Sequence, residues 1–454
     1  MNIGRWAFRI AATVGLATGL SIADDFDLPD DMNSAEVIRF VPIEATTTTE
    51  LKEQPVPASS EKSGVSAIEK SDKINDANGL VSKNIPEELN RPLRVGVFVG
   101  VKELYLKYAG DEIKVTANGK TLKLSAKGQS MELESREFAN EDGSCMAVAL
   151  DTKSLQRACY PGSILLRASN GKIDAINSVD AEDYLRGVVP YEIGKLDSSR
   201  VEALKAQAVA ARTYAYKHYN SREAVGFDVY ADTKDQVYKG LEGSTPLTDA
   251  AVKATAGVVM TYNNEFIIAY YHSTCGGMTE TMATWNKADL PYLKSSPDKR
   301  PDGSAWCNES SYMKWERRFT EKELPELFKK NASEAKAKFS DAKGNDFKKI
   351  KSITVKSNLA GGRILSLQVK TDKGSFEVLT DKTRWLFKKG GQILPSSLFT
   401  VKQEGKEWIV TGSGFGHGVG MCQMGVRARA QAGQSFQEIL THYYPGITLE
   451  QYER

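Results

Sequence analysis

The chain has 454 residues, of which 41% are hydrophobic and 26% charged, so it is long enough for two or three domains with real cores and too polar for a polytopic membrane protein. Its formal charge of +2 argues against a nucleic-acid binder. Five cysteines are too few for a scaffold built from disulfides, and four histidines leave little room for a multi-histidine metal centre.

The first 23 residues have the pattern of a secretory signal peptide. Arg5 and Arg9 are accompanied by no acidic residue. Arg5 precedes an apolar stretch from Trp6 to Leu20, which is interrupted only by Arg9 and a few small polar residues, and a small-x-small tripeptide ends at Ala23. The apolar run is shorter than the roughly 20 residues that a membrane span needs. We therefore expect cleavage and an exported protein, periplasmic or associated with the cell wall; an uncleaved membrane anchor is the alternative.

Residues 24–91 are predicted to be a disordered acidic linker. They contain 15 acidic and 7 basic residues, with few aromatics and no sustained hydrophobic period. Such a segment cannot bury enough apolar surface to offset the entropy of ordering it. Residues 92–454 carry a net charge of +8, which suits an anionic surface such as a cell wall, although a general solubility charge explains it equally well.

Residues 92–454 are predicted to form one α+β domain with mostly antiparallel strands. Residues 92–180 are strand-rich, with short alternating hydrophobic runs and Asn-Gly turns. Residues 181–454 form the catalytic core and contain an amphipathic, alanine-rich helix that starts near Ser198 or Ser199. Further helices are predicted at about 320–342 and 422–432 and within SFQEILTHYYPG.

The first motif that could carry chemistry is YLRGVVPYEIG, residues 184–194. It places Glu192 among apolar side chains. Desolvation raises the pKa of a carboxyl group, which makes a general acid usable near neutral pH. The alternative is an ordinary acidic residue at a helix start, where the helix dipole favours it.

The second motif is AYYHSTCGGMTE, residues 269–280. His272 and Cys275 are compatible with a nucleophilic pair, or with a metal site that includes Cys307. The third interpretation is a structural loop with a Cys275–Cys307 disulfide, and we favour it because the export signal permits disulfides.

The third motif is GSGFGHGVGMCQMGVRARAQAG, residues 412–433. Its glycines allow the backbone to approach a ligand closely, and His417 and Gln423 offer polar groups there. It lacks the lysine and the spacing of a phosphate-binding loop, and a tight structural turn is the alternative.

Together with ILTHYYPG, these motifs occur in an order that resembles the SpoIID/LytB family, peptidoglycan lytic transglycosylases named after a sporulation protein and an amidase enhancer. The resemblance implies a SpoIID-like fold around a glycan-binding groove. It also implies cleavage of the bond between N-acetylmuramic acid and N-acetylglucosamine, leaving 1,6-anhydromuramoyl ends. Glu192 matches the family's catalytic glutamate in GVVxxE. The chain departs from the family pattern at Ile193, usually Met, and at Cys422, commonly Ser.

The resemblance also implies the remaining roles. One glutamate acts as both acid and base, so the chemistry requires no cofactor, and peptidoglycan glycan strands are the expected substrate of a monomeric protein. The residues expected to bind substrate are Arg212, Tyr214, Ser273, Thr274, Gly276, Gly277, His417 and Gln423, with Tyr191 and Trp285 as aromatic contacts. For Arg212 and Tyr214, orienting Glu192 is the alternative role.

Family members that hold a metal in these loops imply an incomplete structural zinc site at His272, Cys275 and Cys307, against which the disulfide remains preferred. A second disulfide is expected between Cys145 and Cys159. The alternative to the enzyme is a non-catalytic peptidoglycan-binding protein that enhances or localises a cell-wall amidase, which would then be its partner. A Cys275-dependent peptidase is disfavoured, because residues three apart on a strand face opposite sides.

Overall fold

The computed structural model describes residues 74–75, 80–340 and 344–453. The predicted signal peptide and most of the predicted linker lie outside these residues. Within the linker range, however, residues 80–84 form a strand and Leu89 is buried, so the folded part begins earlier than residue 92. In the described part of the chain, no helix is both long and apolar enough to span a membrane.

The part before residue 180 consists of short strands joined by tight turns. Its elements are β1 (Ile74–Asn75), β2 (Leu80–Asn84), β3 (Leu93–Val101), β4 (Glu103–Tyr108), β5 (Asp111–Asn118), β6 (Thr121–Ala126), β7 (Gln129–Leu133), β8 (Ser135–Phe138), β9 (Ala147–Ala149), α1 (Thr152–Leu155), β10 (Ser163–Ser169) and β11 (Lys172–Val179). Alternate residues are buried, as Leu104 and Leu106 are on β4. The predicted disulfide between Cys145 and Cys159 is confirmed.

The central part places helices against this sheet layer. Its elements are α2 (Ala181–Glu192), α3 (Val201–Lys217), β12 (Val229–Tyr230), α4 (Pro246–Ala254), β13 (Val258–Tyr262), β14 (Glu265–Phe266) and β15 (Tyr271–His272). The predicted alanine-rich helix is α3, preceded by a 3₁₀ turn that Asp197 caps, rather than Ser198 or Ser199. It is buried almost all round instead of on one face, because α2, α4 and β13 pack against it together with the C-terminal helices.

A second hydrophobic core follows. Its elements are β16 (Trp315–Thr320), α5 (Glu323–Asn331), β17 (Lys338–Phe339), β18 (Ile350–Asn358), β19 (Ile364–Thr371), β20 (Gly374–Leu379), α6 (Thr383–Leu386), β21 (Phe399–Glu404) and β22 (Glu407–Gly412). The core is rich in aromatic residues, including Phe319, Phe328, Phe376 and Trp385. The helix predicted over 320–342 is limited to α5.

The chain returns to the first core through β23 (Met421–Cys422), α7 (Gln423–Gln431), α8 (Phe436–Tyr443) and β24 (Thr448–Glu453). Three strand pairs are parallel, β2 with β24, β3 with β12 and β15 with β23, and the other paired strands in the described ranges are antiparallel. The predicted α+β class with mostly antiparallel strands is confirmed. The pair β15–β23 brings the second and third motifs side by side.

Candidate functional site

A cavity of 660 Å³ lies between the two cores. One wall comes from the end of α2, the segment 231–239, β15 and the loop before β23. The other wall comes from the second core, through residues 335–338 and 379–385. The aromatic side chains that line the cavity are Tyr191, Tyr214, Tyr270, Tyr271, Trp285, Trp385 and Phe415.

Glu192 is the last residue of α2 and lines this cavity. The helix ends there because Gly194 takes a φ of 87°, which favours glycine. Glu192 is therefore at the C-terminus of a helix and not at the start of the next one, so the alternative interpretation from the sequence is wrong. Earlier in the motif, a Cβ on Gly187 would lie 2.6 Å from the carbonyl oxygen of Gly240, so glycine allows α2 to pack closely there.

The carboxyl group of Glu192 has a small number of well-defined partners. The backbone N–H of Val237 donates to Oε1 at 2.6 Å, and Nε2 of Gln423 donates to Oε2 at 3.4 Å. Burial raises the pKa of Glu192 to about 7, although hydrogen bonds from Val237, Gln423 and Tyr271 act in the opposite direction. Near neutral pH the group can therefore hold a proton and release it.

The other carboxyl groups that line the cavity are in different environments. Asp235 accepts hydrogen bonds from Tyr214 and Arg222, both at 2.8 Å, and Asp381 pairs with Arg384 at 3.2 Å. Asp232 is exposed to solvent. Among the described residues lining the cavity, Glu192 is the half-buried carboxyl group that has no cation within ion-pair distance.

The second and third motifs meet behind Glu192. Val419 N–H donates to Nδ1 of His417 at 3.1 Å, so Nε2 carries the proton and donates to the carbonyl oxygen of Tyr271 at 3.0 Å. Burial lowers the pKa of His417 to about 3, and burial also lowers that of His272. Both rings are neutral near pH 7, so neither is a general acid there.

The glycine-rich segment is mainly a close-packed turn. Gly418 has a φ of 85°, and a Cβ at this position would overlap the guanidinium group of Arg363. A Cβ on Gly414 would lie 2.8 Å from the carbonyl oxygen of Thr274. Most of this motif is therefore the tight structural turn that the sequence offered as the alternative to a ligand-binding loop. Gly416, His417 and Gln423 nevertheless line the cavity.

The structure brings about half of the predicted substrate-binding residues to the cavity. Those that line it are Tyr214, Ser273, His417 and Gln423, together with Tyr191 and Trp285. Thr274 is fully buried and its hydroxyl lies 2.7 Å from that of Ser310. Gly276 and Gly277 lie behind the cavity wall, beside the buried cysteines.

Arg212 does not line the cavity, so the prediction that it contacts substrate is wrong. Its side chain is fully buried and forms a two-pronged ion pair with Glu182, at 2.7 and 2.6 Å, while Nη1 donates to the carbonyl oxygen of Val258. Glu182, whose side chain is 32% exposed, is held in place by this pair. The pair fixes α3 against α2 because separating two such groups in a buried site is costly.

The preferred disulfide between Cys275 and Cys307 is not present. Both residues carry free thiols, with the sulfur atoms 3.5 Å apart. Cys422, expected as an isolated thiol, joins them, and so does the carboxylate of Asp298. His272 is not in this group, since its Nδ1 bonds the carbonyl oxygen of Val419.

Sequence reasoning missed several residues of the cavity. Gln236 donates to the hydroxyl of Tyr271 at 3.0 Å, and Val237 supplies the N–H to Glu192. Almost any residue type can supply a backbone N–H, so this donor could not be identified from the sequence. Trp385 and Lys336 come from the second core, which no motif connected with Glu192.

Comparison with known families and proteins gives consistent matches. The family model described as "Stage II sporulation protein" matches residues 169–262, which include Glu192, α2 and α3. A model described as a domain of unknown function (DUF8618) matches residues 304–420, the range of the second core.

Three relatives are similar over most of the folded part. An uncharacterized protein of Brachyspira hyodysenteriae is 31% identical over 65% of this chain and 73% of its own length. Stage II sporulation protein D of Bacillus subtilis is 31% identical over 61% of this chain and 76% of its own length. The amidase enhancer of Bacillus subtilis is 33% identical over 59% of this chain, but only 40% of that longer protein is covered.

Proposed function

We propose that this chain, which belongs to the stage II sporulation protein D (SpoIID) family, is a peptidoglycan lytic transglycosylase. It would cleave the bond between N-acetylmuramic acid and N-acetylglucosamine and leave 1,6-anhydromuramoyl ends. The observation that carries the proposal is Glu192, a carboxyl group with a pKa near 7 in the wall of a large cavity. The cavity would face glycan outside the cytoplasm, in line with the predicted export.

Glu192 would act twice in one turnover. In the protonated form it donates its proton to the glycosidic oxygen, so that the bond to C1 of the muramoyl residue breaks and the glucosamine leaves with a hydroxyl group. As a carboxylate it then accepts the proton of the muramoyl C6 hydroxyl while O6 bonds to C1. The proton returned to Glu192 restores the starting state, so the cycle consumes no water.

The other acidic residues of the cavity favour this reaction over hydrolysis. A hydrolase of the ordinary type uses two carboxyl groups, the second of which activates water or attacks C1. Asp235 and Asp381 are ion-paired with Arg222 and Arg384, and Asp232 is exposed to solvent. A hydroxyl group of the substrate itself removes the need for a second carboxylate.

Aromatic side chains give the cavity surfaces that suit sugar rings. Trp285 packs against Tyr270 and His417, with ring centroids 5.1 and 4.8 Å apart, which fixes its orientation. Tyr191 lies on the same helix turn as Glu192 and also lines the cavity. Pockets that combine apolar walls with a few polar groups are typical of ligand sites.

The second candidate function is a non-catalytic peptidoglycan-binding protein that enhances a cell-wall amidase. The observation that favours it is the similarity to the amidase enhancer of Bacillus subtilis. Retention of Glu192 with its raised pKa favours the enzyme, because a general acid near neutral pH requires such a group.

The experiment compares wild type with Glu192→Gln on purified, peptide-stripped glycan strands, with products identified by mass spectrometry. Glu132→Gln on β7 is the matched control, because Glu132 is an exposed glutamate that does not line the cavity. Anhydromuramoyl ends from wild type and Glu132→Gln, but not from Glu192→Gln, support the transglycosylase. New muramoyl ends that are heavier than the anhydro form by one water molecule would show hydrolysis instead. Binding by all three proteins without cleavage supports the enhancer.

A further inference from the structure

Three thiols and one carboxylate meet in the interior of the protein, outside the cavity. Cys275 follows β15, Cys422 caps the N-terminus of α7, and Asp298 and Cys307 come from the loops between them. One ligand atom from each of these four residues lies within 4.8 Å of the other three, and all four side chains are buried. A buried carboxylate needs compensating charge, and thiolates placed beside it would need a shared cation.

The spacing and hydrogen bonds suit metal-bound thiolates. Zinc with Zn–S bonds of about 2.3 Å in tetrahedral geometry separates its sulfur ligands by about 3.8 Å; the sulfur atoms of Cys275 and Cys307 are 3.5 Å apart. Backbone N–H groups point at two of the sulfurs: Gly277 donates to Cys275 at 3.2 Å, and Cys275 itself donates to Cys422 at 3.2 Å. Such donors stabilise sulfur in its negative form.

Asp298 is held as a metal-binding carboxylate would be. Arg429 donates to Oδ1 at 2.9 Å and the Tyr443 hydroxyl donates to Oδ2 at 2.9 Å, while Oδ2 also lies 3.3 Å from the sulfur of Cys275. Outer partners of this kind orient the ligands of a metal.

Cationic side chains lie close to this group. Fully buried Arg363 donates to the carbonyl oxygen of Cys275 at 3.3 Å, and its Nε and Nη1 have no hydrogen-bond partner among the described residues. Three thiolates and one carboxylate around a divalent ion leave two negative charges. Arg429 and Arg363 offset part of that charge, and Arg363 also interacts with the buried carboxylate of Glu280.

We propose that Cys275, Asp298, Cys307 and Cys422 form a structural site for a divalent, thiolate-preferring cation, with zinc as the fitting ion. The site closes with four protein ligands and excludes His272, which faces His417 instead. It would join the loop of the second motif to the start of α7. Because Gln423 follows Cys422 directly and bonds Glu192, the ion would hold one partner of Glu192 in place.

The test begins with the metal content of the wild-type protein, purified under reducing conditions and dialysed against zinc-free buffer. One zinc per chain by elemental analysis is expected. Replacement by Co²⁺ should give the visible bands of a tetrahedral ion and an intense sulfur-to-cobalt charge-transfer band. These spectra are measured on the wild type, so they decide the question even where a cysteine variant fails to fold.

Variants then identify the ligands. Cys307→Ser and Asp298→Asn should weaken zinc binding at least about tenfold in competition with a chelator, whereas His272→Ala should keep it unchanged. Two results would overturn the proposal: wild type without bound zinc and with a Cys275–Cys307 disulfide by non-reducing mass analysis, or equal loss of zinc in His272→Ala. Neither measurement depends on glycan cleavage, so the outcome is independent of the proposed enzyme.

Discussion

Replacing Glu192 by glutamine should change how the stability of the protein depends on pH. Burial raises the pKa of Glu192 from an ordinary value of 4.5 to about 7 in the folded chain. Between these values the folded protein keeps a proton that the unfolded chain releases. Stability therefore falls as pH rises through this window and stays low above it. Glutamine cannot titrate, so Glu192→Gln escapes this loss.

The magnitude follows from the shift. One pKa unit corresponds to about 1.4 kcal/mol, so the shift of Glu192 makes the folded protein less stable by at most about 3 kcal/mol at high pH. Between pH 5 and pH 8 the difference in unfolding free energy, Glu192→Gln minus wild type, should rise by about 2–3 kcal/mol.

The assay is urea unfolding followed by tryptophan fluorescence for wild type, Glu192→Gln and the control Glu132→Gln at both pH values. The control should follow wild type because Glu132 is exposed. If the difference in unfolding free energy between Glu192→Gln and wild type is the same at pH 5 and pH 8, the raised pKa of Glu192 is refuted. That result would remove the physical basis for Glu192 as an acid at neutral pH.

Three further results are expected. Glycan cleavage should fall about tenfold per pH unit above pH 7, because the acid form of Glu192 is lost there; a rate that is flat to pH 9 contradicts this. Arg212→Ala should destabilise the protein by about 1.5–3 kcal/mol in urea unfolding, since it removes the charged hydrogen bonds to Glu182, which is partly solvated. Glycan affinity of the folded protein should be unchanged, and a selective loss of affinity would return Arg212 to the site. Trp285→Ala should weaken glycan binding about tenfold by calorimetry. The control Tyr105→Ala on β4 should leave the affinity unchanged. If both variants weaken binding equally, Trp285 is not part of the binding surface.

Local sequence indicated the low-polarity surroundings of Glu192, and the resemblance to the SpoIID/LytB family then identified it as the candidate catalytic group. Glu192 lies among apolar neighbours within its own motif, so its low-polarity surroundings could be inferred without knowing the fold. The alternating strands from β4 to β6 and the helix α3 were predictable for the same reason, since each depends on a short-range period.

Long-range pairing was not predictable. Arg212 is 30 residues from Glu182, and a buried arginine on a helix near a catalytic motif has the same sequence pattern whether it contacts substrate or a carboxylate. The strand β2 pairs with β24 at the other end of the chain. Because this partner is remote in sequence, composition alone placed β2 in the linker.

The cysteines show a related limit. Two cysteines in an exported protein favour a disulfide, and the sequence gives no reason to place Cys422 beside Cys275, 147 residues away. That contact depends on the parallel pairing of β15 with β23. The same pairing brings Gln423 towards Glu192, so the third motif gains its role only in the folded chain.

The most direct test of the central claim is cleavage of peptide-stripped glycan in water enriched in heavy oxygen, with mass spectrometry of the new muramoyl ends. If Glu192 promotes attack by the substrate's own C6 hydroxyl, the ends are 1,6-anhydro and contain no heavy oxygen. Heavy oxygen at C1 of the new ends would show that water attacks, and would contradict the account of a single glutamate acting without a second carboxylate.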